Sequence, residues 1–302
     1  MSEKKSNQFV VFNGKKIHVE NECLYLADRN IQNIEDIEGL AKLSDLKKLC
    51  LDINEITEIK GLDSLIALEE LYLRSNKIKA ISGLEKLKSL KTLKLEYNYI
   101  KKISGLDALE NLEYLFLGAN EIAKIEGLEK LKNLKGLSFS DSNEGYGNLI
   151  NKIEGLENLH NLEILDLSCN KIESITGLSH LSNLIMLTIM ENKLKNFKGL
   201  SNLSKLLDLN LKLNQITEIE PINGLSNLEV LRLSHNKISR IGDISDFKAL
   251  KVLNLTNNSI TSVKNLKVGK ALREIHFNSN PVPIKDLERF GIKRYDKVVS
   301  FK

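Results

Sequence analysis

Residues 90–109 of the chain, LKTLKLEYNYIKKISGLDAL, contain the pattern that decides the fold. The same arrangement of residues returns 22 positions later and 22 positions earlier, so the chain is built from tandem repeats. In this copy the recurring positions are Leu90, Leu93, Leu95, Asn98, Ile100, Ile103, Gly105, Leu106 and Leu109.

The asparagine of the repeat recurs along most of the chain. Between Asn120 and Asn170 lie 50 residues, which is two periods plus six, so one repeat is 28 residues long and its asparagine is predicted to be Asn148. The predicted ladder of stacked asparagines contains Asn54, Asn76, Asn98, Asn120, Asn148, Asn170, Asn192, Asn214, Asn236, Asn258 and Asn280.

Each recurring column of the repeat has a physical explanation. Leu-x-Leu alternates with period two, which predicts a short strand with its leucines facing inward. A buried Asn can donate to and accept from the backbone groups that a sharp turn leaves inside the coil. Twenty-two residues leave little room for a helix on the return path, which predicts short 3₁₀ or irregular segments. The predicted fold class is therefore an α/β solenoid, mostly β, with a parallel sheet.

The ends of such an array need caps, because each coil buries only part of its apolar surface. Two strand-like runs around Asn13-Gly14 predict a β-hairpin. Beyond the last repeat, spaced apolar residues predict a short helix and a terminal strand. The predicted organisation is a disordered 1–8, a hairpin cap 9–23, about twelve repeats over 24–283 with one degraded strand, and a C-terminal cap 284–302.

Composition limits the classes of function. The chain has 302 residues, of which 54 are Leu and 31 are Ile, and its formal net charge is only +4. This balance gives no electrostatic case for nucleic acid, and no apolar run reaches the ~18 residues of a membrane span. A polar N-terminus and three cysteines without metal or redox spacing, Cys23, Cys50 and Cys169, favour a cytoplasmic protein with reduced thiols.

The pattern Leu-x-Leu-x-x-Asn-x-Ile-x-x-Ile-x-Gly-Leu resembles the 22-residue subclass of leucine-rich repeat proteins. That subclass includes the leucine-rich repeat regulatory subunit of protein phosphatase 1 and the internalins. The resemblance covers about residues 24–283 and implies a curved, horseshoe-shaped solenoid whose parallel sheet lies on the concave face and binds other proteins there. The matching positions are core positions, so the resemblance transfers no partner-contact residues.

Any partner contact must come from the outward-facing positions of the strands. Exposed aromatic residues and Arg are typical anchors of interfaces. An aromatic group in the first half of the array and an apolar group near its middle are the candidates, although short strands can also pack such side chains for sheet stability alone. The predicted partner-binding residues are Tyr72, Arg74, Tyr97, Tyr114, Phe116, Ile164, Asp166, Met186, Met190 and Arg232.

The six extra residues of the long repeat lie within 141–147, directly after a strand. Two interpretations stand: a recognition loop on a rigid scaffold, or a neutral insertion at a surface turn. No spacing of His, Cys, Asp or Glu predicts catalysis, a metal or a cofactor. The sequence thus favours a monomeric intracellular scaffold that binds an unidentified protein, with a phosphatase regulatory subunit and an internalin-like surface adhesin as alternatives.

Overall fold

The computed structural model describes residues 8–141, 146–219 and 224–288 with their side chains, and residues 298–300 through their backbone. The predicted disordered segment 1–8 therefore lies outside the described residues apart from Gln8, as do residues 142–145 of the insertion and residues 289–297 and 301–302 of the predicted C-terminal cap. The chain divides into two compact units. Unit 1 contains the described residues up to Asp141, Tyr146–Leu149 and Glu154–Asn161; unit 2 contains Ile150–Ile153 and the described residues from Leu162 onward.

Unit 1 begins with an antiparallel hairpin and continues with parallel strands. The hairpin is held to the first coil by two backbone hydrogen bonds between Val11 and Glu38, both 2.9 Å. Val10, in the first strand of the hairpin, is fully buried. The strands are β1 (Phe9–Phe12), β2 (Lys15–His18), β3 (Cys23–Tyr25), β4 (Lys48–Cys50), β5 (Glu70–Tyr72), β6 (Thr92–Lys94), β7 (Tyr114–Phe116) and β8 (Gly136–Ser138).

The first coil departs from the sequence prediction in one respect. Its strand was expected to be degraded, yet β3 pairs in parallel with β4, with Leu24 opposite Leu49. Leu24 is fully buried, so this coil supplies an ordinary inward leucine to the core. Cys23, placed with the hairpin by the sequence, is the first residue of this strand.

Unit 2 repeats the same architecture. Its parallel strands β9 to β14 stand in register, and β15 pairs antiparallel with β14. The elements are β9 (Ile164–Asp166), β10 (Met186–Thr188), β11 (Asp208–Asn210), β12 (Val230–Arg232), β13 (Val252–Asn254), β14 (Glu274–His276), α1 (Ile284–Leu287) and β15 (Val298–Ser300).

Helical structure is scarce in the described part of the chain, as 22-residue coils require. The return path of the first coil contains two 3₁₀ turns, Ile34–Asp36 and Leu40–Lys42, while the later coils return through irregular turns. A glycine begins each of several such turns: Gly83 and Gly105 have positive φ, and a Cβ there would lie 2.1 and 2.4 Å from a carbonyl oxygen of the preceding coil. The predicted solenoid class, mostly β with short 3₁₀ or irregular convex segments, is confirmed.

The asparagine column ties neighbouring coils together. The Asn98 side-chain amide donates to the carbonyls of Leu73 and Leu95 at 3.0 and 3.1 Å, and its oxygen accepts from the Ile78 amide at 2.9 Å. Asn148 bonds in the same way to Leu117, Phe139 and Ile122 despite the longer repeat. Asn170 accepts from the Ile150 amide and donates within its own coil. Bonds to both their own and the preceding coil are also made by Asn54, Asn76, Asn120, Asn192, Asn214, Asn236, Asn258 and Asn280.

Candidate functional site

The strands leave three columns of outward side chains on the sheet face. The inward apolar residues of each strand are buried, and so is the asparagine of each repeat from Asn54 to Asn280 except the half-buried Asn236, so sequence variation is free only between and beside them. We number the columns in chain order. In unit 1 the first column contains Lys48, Glu70, Thr92, Tyr114 and Gly136; the second contains Cys50, Tyr72, Lys94, Phe116 and Ser138; the third contains Asp52, Arg74, Glu96, Gly118 and Ser140.

Tyr72 lies at the centre of a polar network. Its hydroxyl donates to Glu70 Oε2 at 2.6 Å, and Lys48 Nζ lies 2.9 Å from that same carboxylate oxygen. The Tyr72 hydroxyl holds the pKa of Glu70 below its ordinary value, while burial raises the pKa of Tyr72 itself. Tyr72 is therefore held in one orientation by its neighbours.

Lys94 lies between the two aromatic rings of the second column. Its ammonium nitrogen is 4.6 Å from the ring centroid of Tyr72 and 5.4 Å from that of Phe116. Tyr114, 36% exposed, instead lies over the neighbouring strand at Gly136. A Cβ added to Gly136 would lie 2.7 Å from Tyr114 Cδ1, so the ring occupies the space that the glycine leaves open. The predicted aromatic group is thus an alternating arrangement of rings and cations rather than a stack of rings.

Arg74 and Tyr97 contact the two described ends of the insertion. The Arg74 guanidinium lies 3.0 Å from Asp141 Oδ2 and 4.8 Å from the Tyr97 ring. The ring of Tyr97 meets that of Tyr146 edge-on at 5.7 Å. These two predicted residues therefore form a second cluster with Asp141 and Tyr146, where the strands end.

The chain can cross toward Arg74 because the third column is empty at Gly118. A Cβ at this position would lie 2.4 Å from the carbonyl carbon of Ser140 and 2.7 Å from the Asp141 nitrogen. The backbone of Ser140 and Asp141 thus passes directly over Gly118. Any larger residue would push this chain off the face.

Glu96, in the third column next to Gly118, is a buried carboxyl group. It is 9% exposed, and its Oε2 atom has no hydrogen-bond partner among the described residues. Burial raises the pKa of Glu96 to about 7, and the nearby cations Lys94 and Arg74 oppose this rise. This burial could not be predicted from the sequence, because it depends on neighbours outside the repeat of Glu96.

In unit 2 the structure brings together only part of the predicted apolar group. Ile164 and Met186 stand opposite each other in the first column and are 43% and 41% exposed. Met190 follows Met186 by four residues and lies roughly 13 Å from it along the chain, beyond the end of the strand. Asp166 accepts from the Ser168 amide at 2.9 Å, and Arg232 forms an ion pair with Asp208.

A further column, just before the first, carries ion pairs between coils. In unit 1, Glu69 binds Lys47 at 3.0 Å and Lys91 at 2.6 Å, and Glu113 binds Lys135 at 2.8 Å. We call this the ladder column, and in unit 2 Glu229 and Lys251 form the same kind of pair at 2.6 Å. Its residues are Glu22, Lys47, Glu69, Lys91, Glu113, Lys135, Glu163, Ile185, Leu207, Glu229, Lys251 and Arg273.

Ile185 and Leu207 are the two uncharged members of the ladder column. They are 38% and 40% exposed, and they lie beside Ile164 and Met186. The prediction of partner-binding residues missed both. The signal was present in the sequence, because an alternation of Glu and Lys from Glu22 to Glu163 is interrupted at these two positions.

The comparisons with known proteins agree with this architecture. A family model described as a leucine-rich repeat region matches residues 22–296. The chain belongs to the leucine-rich repeat family. No curated protein matches the sequence of this leucine-rich repeat protein.

Solved structures add the internalin resemblance. An internalin from Listeria monocytogenes is 26% identical with a TM-score of 0.66, over 87% of this chain and 82% of that chain. Internalin C2 from the same organism is 30% identical with a TM-score of 0.57, over 65% and 84%. A leucine-rich repeat protein of Leptospira interrogans is 27% identical with a TM-score of 0.66, over 88% and 80%. The predicted family is confirmed, whereas the resemblance to a phosphatase regulatory subunit stays a prediction.

The described residues contain no group of three His, Cys, Asp or Glu side chains arranged to hold a metal ion. Within the same ranges, no helix has the length and apolar character that crossing a membrane requires.

Proposed function

We propose that this leucine-rich repeat protein is a protein-binding scaffold that holds its partner on the sheet face. The fold is typical of protein–protein interaction domains. The observation that carries the proposal is the alternation of aromatic rings and cations over Tyr72, Lys94 and Phe116, with Tyr114 exposed beside it. Aromatic and basic side chains held rigidly on a surface are typical of interface anchors.

We further propose that the protein is a monomer in the cytoplasm and that it binds its partner without catalysing a reaction. It includes the predicted residues Arg74 and Tyr97 at the strand ends of unit 1. It also includes the residues of unit 2 that were predicted from sequence, namely Ile164, Asp166, Met186, Met190 and Arg232. The partner is a protein, and the proposal includes neither a cofactor nor a nucleic acid.

The test is affinity capture from the source lysate with wild type and with Tyr114→Ala/Phe116→Ala. Neither side chain holds the Lys48–Glu70–Tyr72 network, so the double variant removes contact surface and leaves that network intact. Loss of a specifically captured protein, with an unchanged unfolding midpoint, supports the proposal. Equal capture by both proteins contradicts it. Ile66→Lys, at a 60% exposed residue outside the sheet face, is the matched control.

The similarity to two internalin structures favours a second candidate, an internalin-like surface adhesin. The two candidates differ in where the protein acts. Fractionation of source cells with an antibody against this chain separates them: recovery from the cell surface or medium favours the adhesin, and recovery from the cytoplasm favours the scaffold.

A further inference from the structure

The ladder column changes character at two neighbouring coils of unit 2. Backbone bonds place Glu163, Ile185 and Leu207 side by side: the Ile185 amide donates to Glu163 at 2.8 Å, and the Leu207 amide to Ile185 at 2.9 Å. The next link, from Glu229 to the Leu207 carbonyl, is also 2.9 Å. The charges on either side of Ile185 and Leu207 therefore belong to the same continuous edge.

Four exposed apolar residues occupy neighbouring positions at this interruption. Met186 stands opposite Ile164 in the first column, and Ile185 and Leu207 precede Met186 and Asp208 in the chain. We call Ile164, Ile185, Met186 and Leu207 the apolar patch. Contiguous exposed apolar patches mark interaction sites on proteins. The positions of Ile185 and Leu207 can carry a charged side chain in this fold, because the other coils have Glu, Lys or Arg there.

The charges that border the apolar patch are carboxylates. Glu163 lies at one corner and Asp208 at the opposite corner, and Glu229 follows Leu207 in the ladder column. The cations that pair with the last two, Arg232 and Lys251, lie one coil farther from the patch. At the coil after Glu163, where the alternation would place a lysine, stands Ile185.

The basic residue nearest to Leu207 in the chain is directed elsewhere. Lys205, two residues before Leu207, donates to Asn183 Oδ1 at 2.7 Å. The patch is thus apolar at its centre and has carboxylates at its border, of which Asp208 and Glu229 are already paired with Arg232 and Lys251. Complementary charge on a partner would determine its orientation and its rate of association.

We infer that the apolar patch is a docking site for a protein segment that presents neighbouring apolar side chains together with a lysine or arginine, the basic group facing Glu163. This inference rests on the proposed function, since it names the kind of partner that the sheet face accepts. The apolar side chains provide contact area, and the basic side chain occupies the place of the missing ladder cation.

The probe is a displayed library of random peptides selected on the full chain alone, and the recovered peptides are then measured on wild type and on Ile185→Lys/Leu207→Lys. This double variant restores charge to the ladder column, because its two new ammonium groups would face Glu163 and Glu229, as Lys47 and Lys91 face Glu69 in unit 1. Its unfolding midpoint should match that of wild type. Ile66→Lys, which adds the same side chain elsewhere, is the matched control.

We expect selected peptides to combine apolar residues with Lys or Arg, and to bind the double variant about 30-fold or more weakly. Ile66→Lys should bind them as wild type does. Glu163→Lys should also weaken binding, and exchanging the basic residue of the peptide for Glu should restore it. Peptides that fail to distinguish the double variant from wild type, or that are acidic, would overturn the inference.

Sedimentation of wild type and double variant tests the competing occupant. Self-association of wild type that the double variant abolishes would assign the patch to a second copy of the chain and overturn the inference. Failure of the docking site can be distinguished from failure of the proposed scaffold function. A captured partner that the double variant still binds refutes the docking site alone, whereas discriminating peptides without any captured partner refute the scaffold role alone.

Discussion

The Arg74 guanidinium binds the Asp141 carboxylate at 3.0 Å, although 67 residues separate them in the chain. The ion pairs of the ladder column described above join residues one period apart, so this contact stands outside the repeat. It exists because the insertion takes the chain after β8 across Gly118 toward β5. One end of the insertion is therefore fixed to the face where we propose that a partner binds.

The Arg74–Asp141 pair should contribute measurably to stability. The Asp141 side chain is 13% exposed and that of Arg74 is 37% exposed, so solvent screens the pair only in part. A double-mutant cycle with Arg74→Gln and Asp141→Asn should give a coupling of about 1 kcal/mol by chemical denaturation. The control pair Arg240–Glu218, with side chains 81% and 40% exposed, should show a coupling close to zero. Equal couplings would refute a special role for the first pair.

Gly118→Ala should destabilise unit 1. The added Cβ would lie 2.4 Å from the Ser140 backbone, which must then move away from the face. We expect a loss of about 1–3 kcal/mol in the free energy of unfolding, together with faster amide exchange at Tyr146. Gly242→Ala is the matched control, because a Cβ there meets no atom within 4 Å. If both substitutions have the same effect, the close approach at Gly118 has no energetic importance.

Asn98→Ala should lower stability by about 1–3 kcal/mol, because the buried Ile78 amide loses its partner and the carbonyls of Leu73 and Leu95 each lose one of the two asparagine amides that they accept from. The unfolding midpoint in urea measures the change. Asn111→Ala also removes one side-chain bond, to the Lys88 carbonyl at 3.0 Å, but at an exposed position where water replaces it. An Asn98 variant as stable as the Asn111 variant would contradict the asparagine ladder.

Glu96 should make stability depend on pH with an unusual sign. Burial raises its pKa from 4.5 to about 7, so the folded protein retains the proton that the unfolded chain has already lost. The stabilisation is complete below pH 4.5 and is lost as the pH rises through 7, by about 3 kcal/mol. Glu96→Gln removes this dependence, so its advantage over wild type should grow from about pH 4.5 to about pH 8.

Glu70→Gln is the control of opposite sign for this experiment. The hydroxyl of Tyr72 and the ammonium of Lys48 lower the pKa of Glu70, so its contribution is lost as the pH falls. Unfolding midpoints across pH, measured for both variants and wild type, separate the two groups. Parallel pH profiles for wild type and Glu96→Gln would refute the shifted pKa.

The sequence predicted the structural features that recur every 22 residues. The 22-residue spacing located the strands, and Asn148, assigned to the asparagine column from the sequence, bonds to Leu117 and Ile122 despite six extra residues. The interruption at Ile185 and Leu207 was equally visible in the sequence, but only as a missing charge. Their exposure beside Ile164 and Met186, which makes them a surface, came from the structure.

The sequence by itself determined the coil, because each coil packs on its neighbour and the repeated leucines, glycines and asparagines specify that packing. Only the tertiary structure decided how the free positions combine. Lys94 separates Tyr72 from Phe116, Arg74 binds Asp141, and Glu96 is buried with one carboxyl oxygen unpaired among the described residues. The physical reason is that these contacts depend on side-chain orientation and on a non-periodic insertion, and neither is specified by a pattern that repeats every 22 residues.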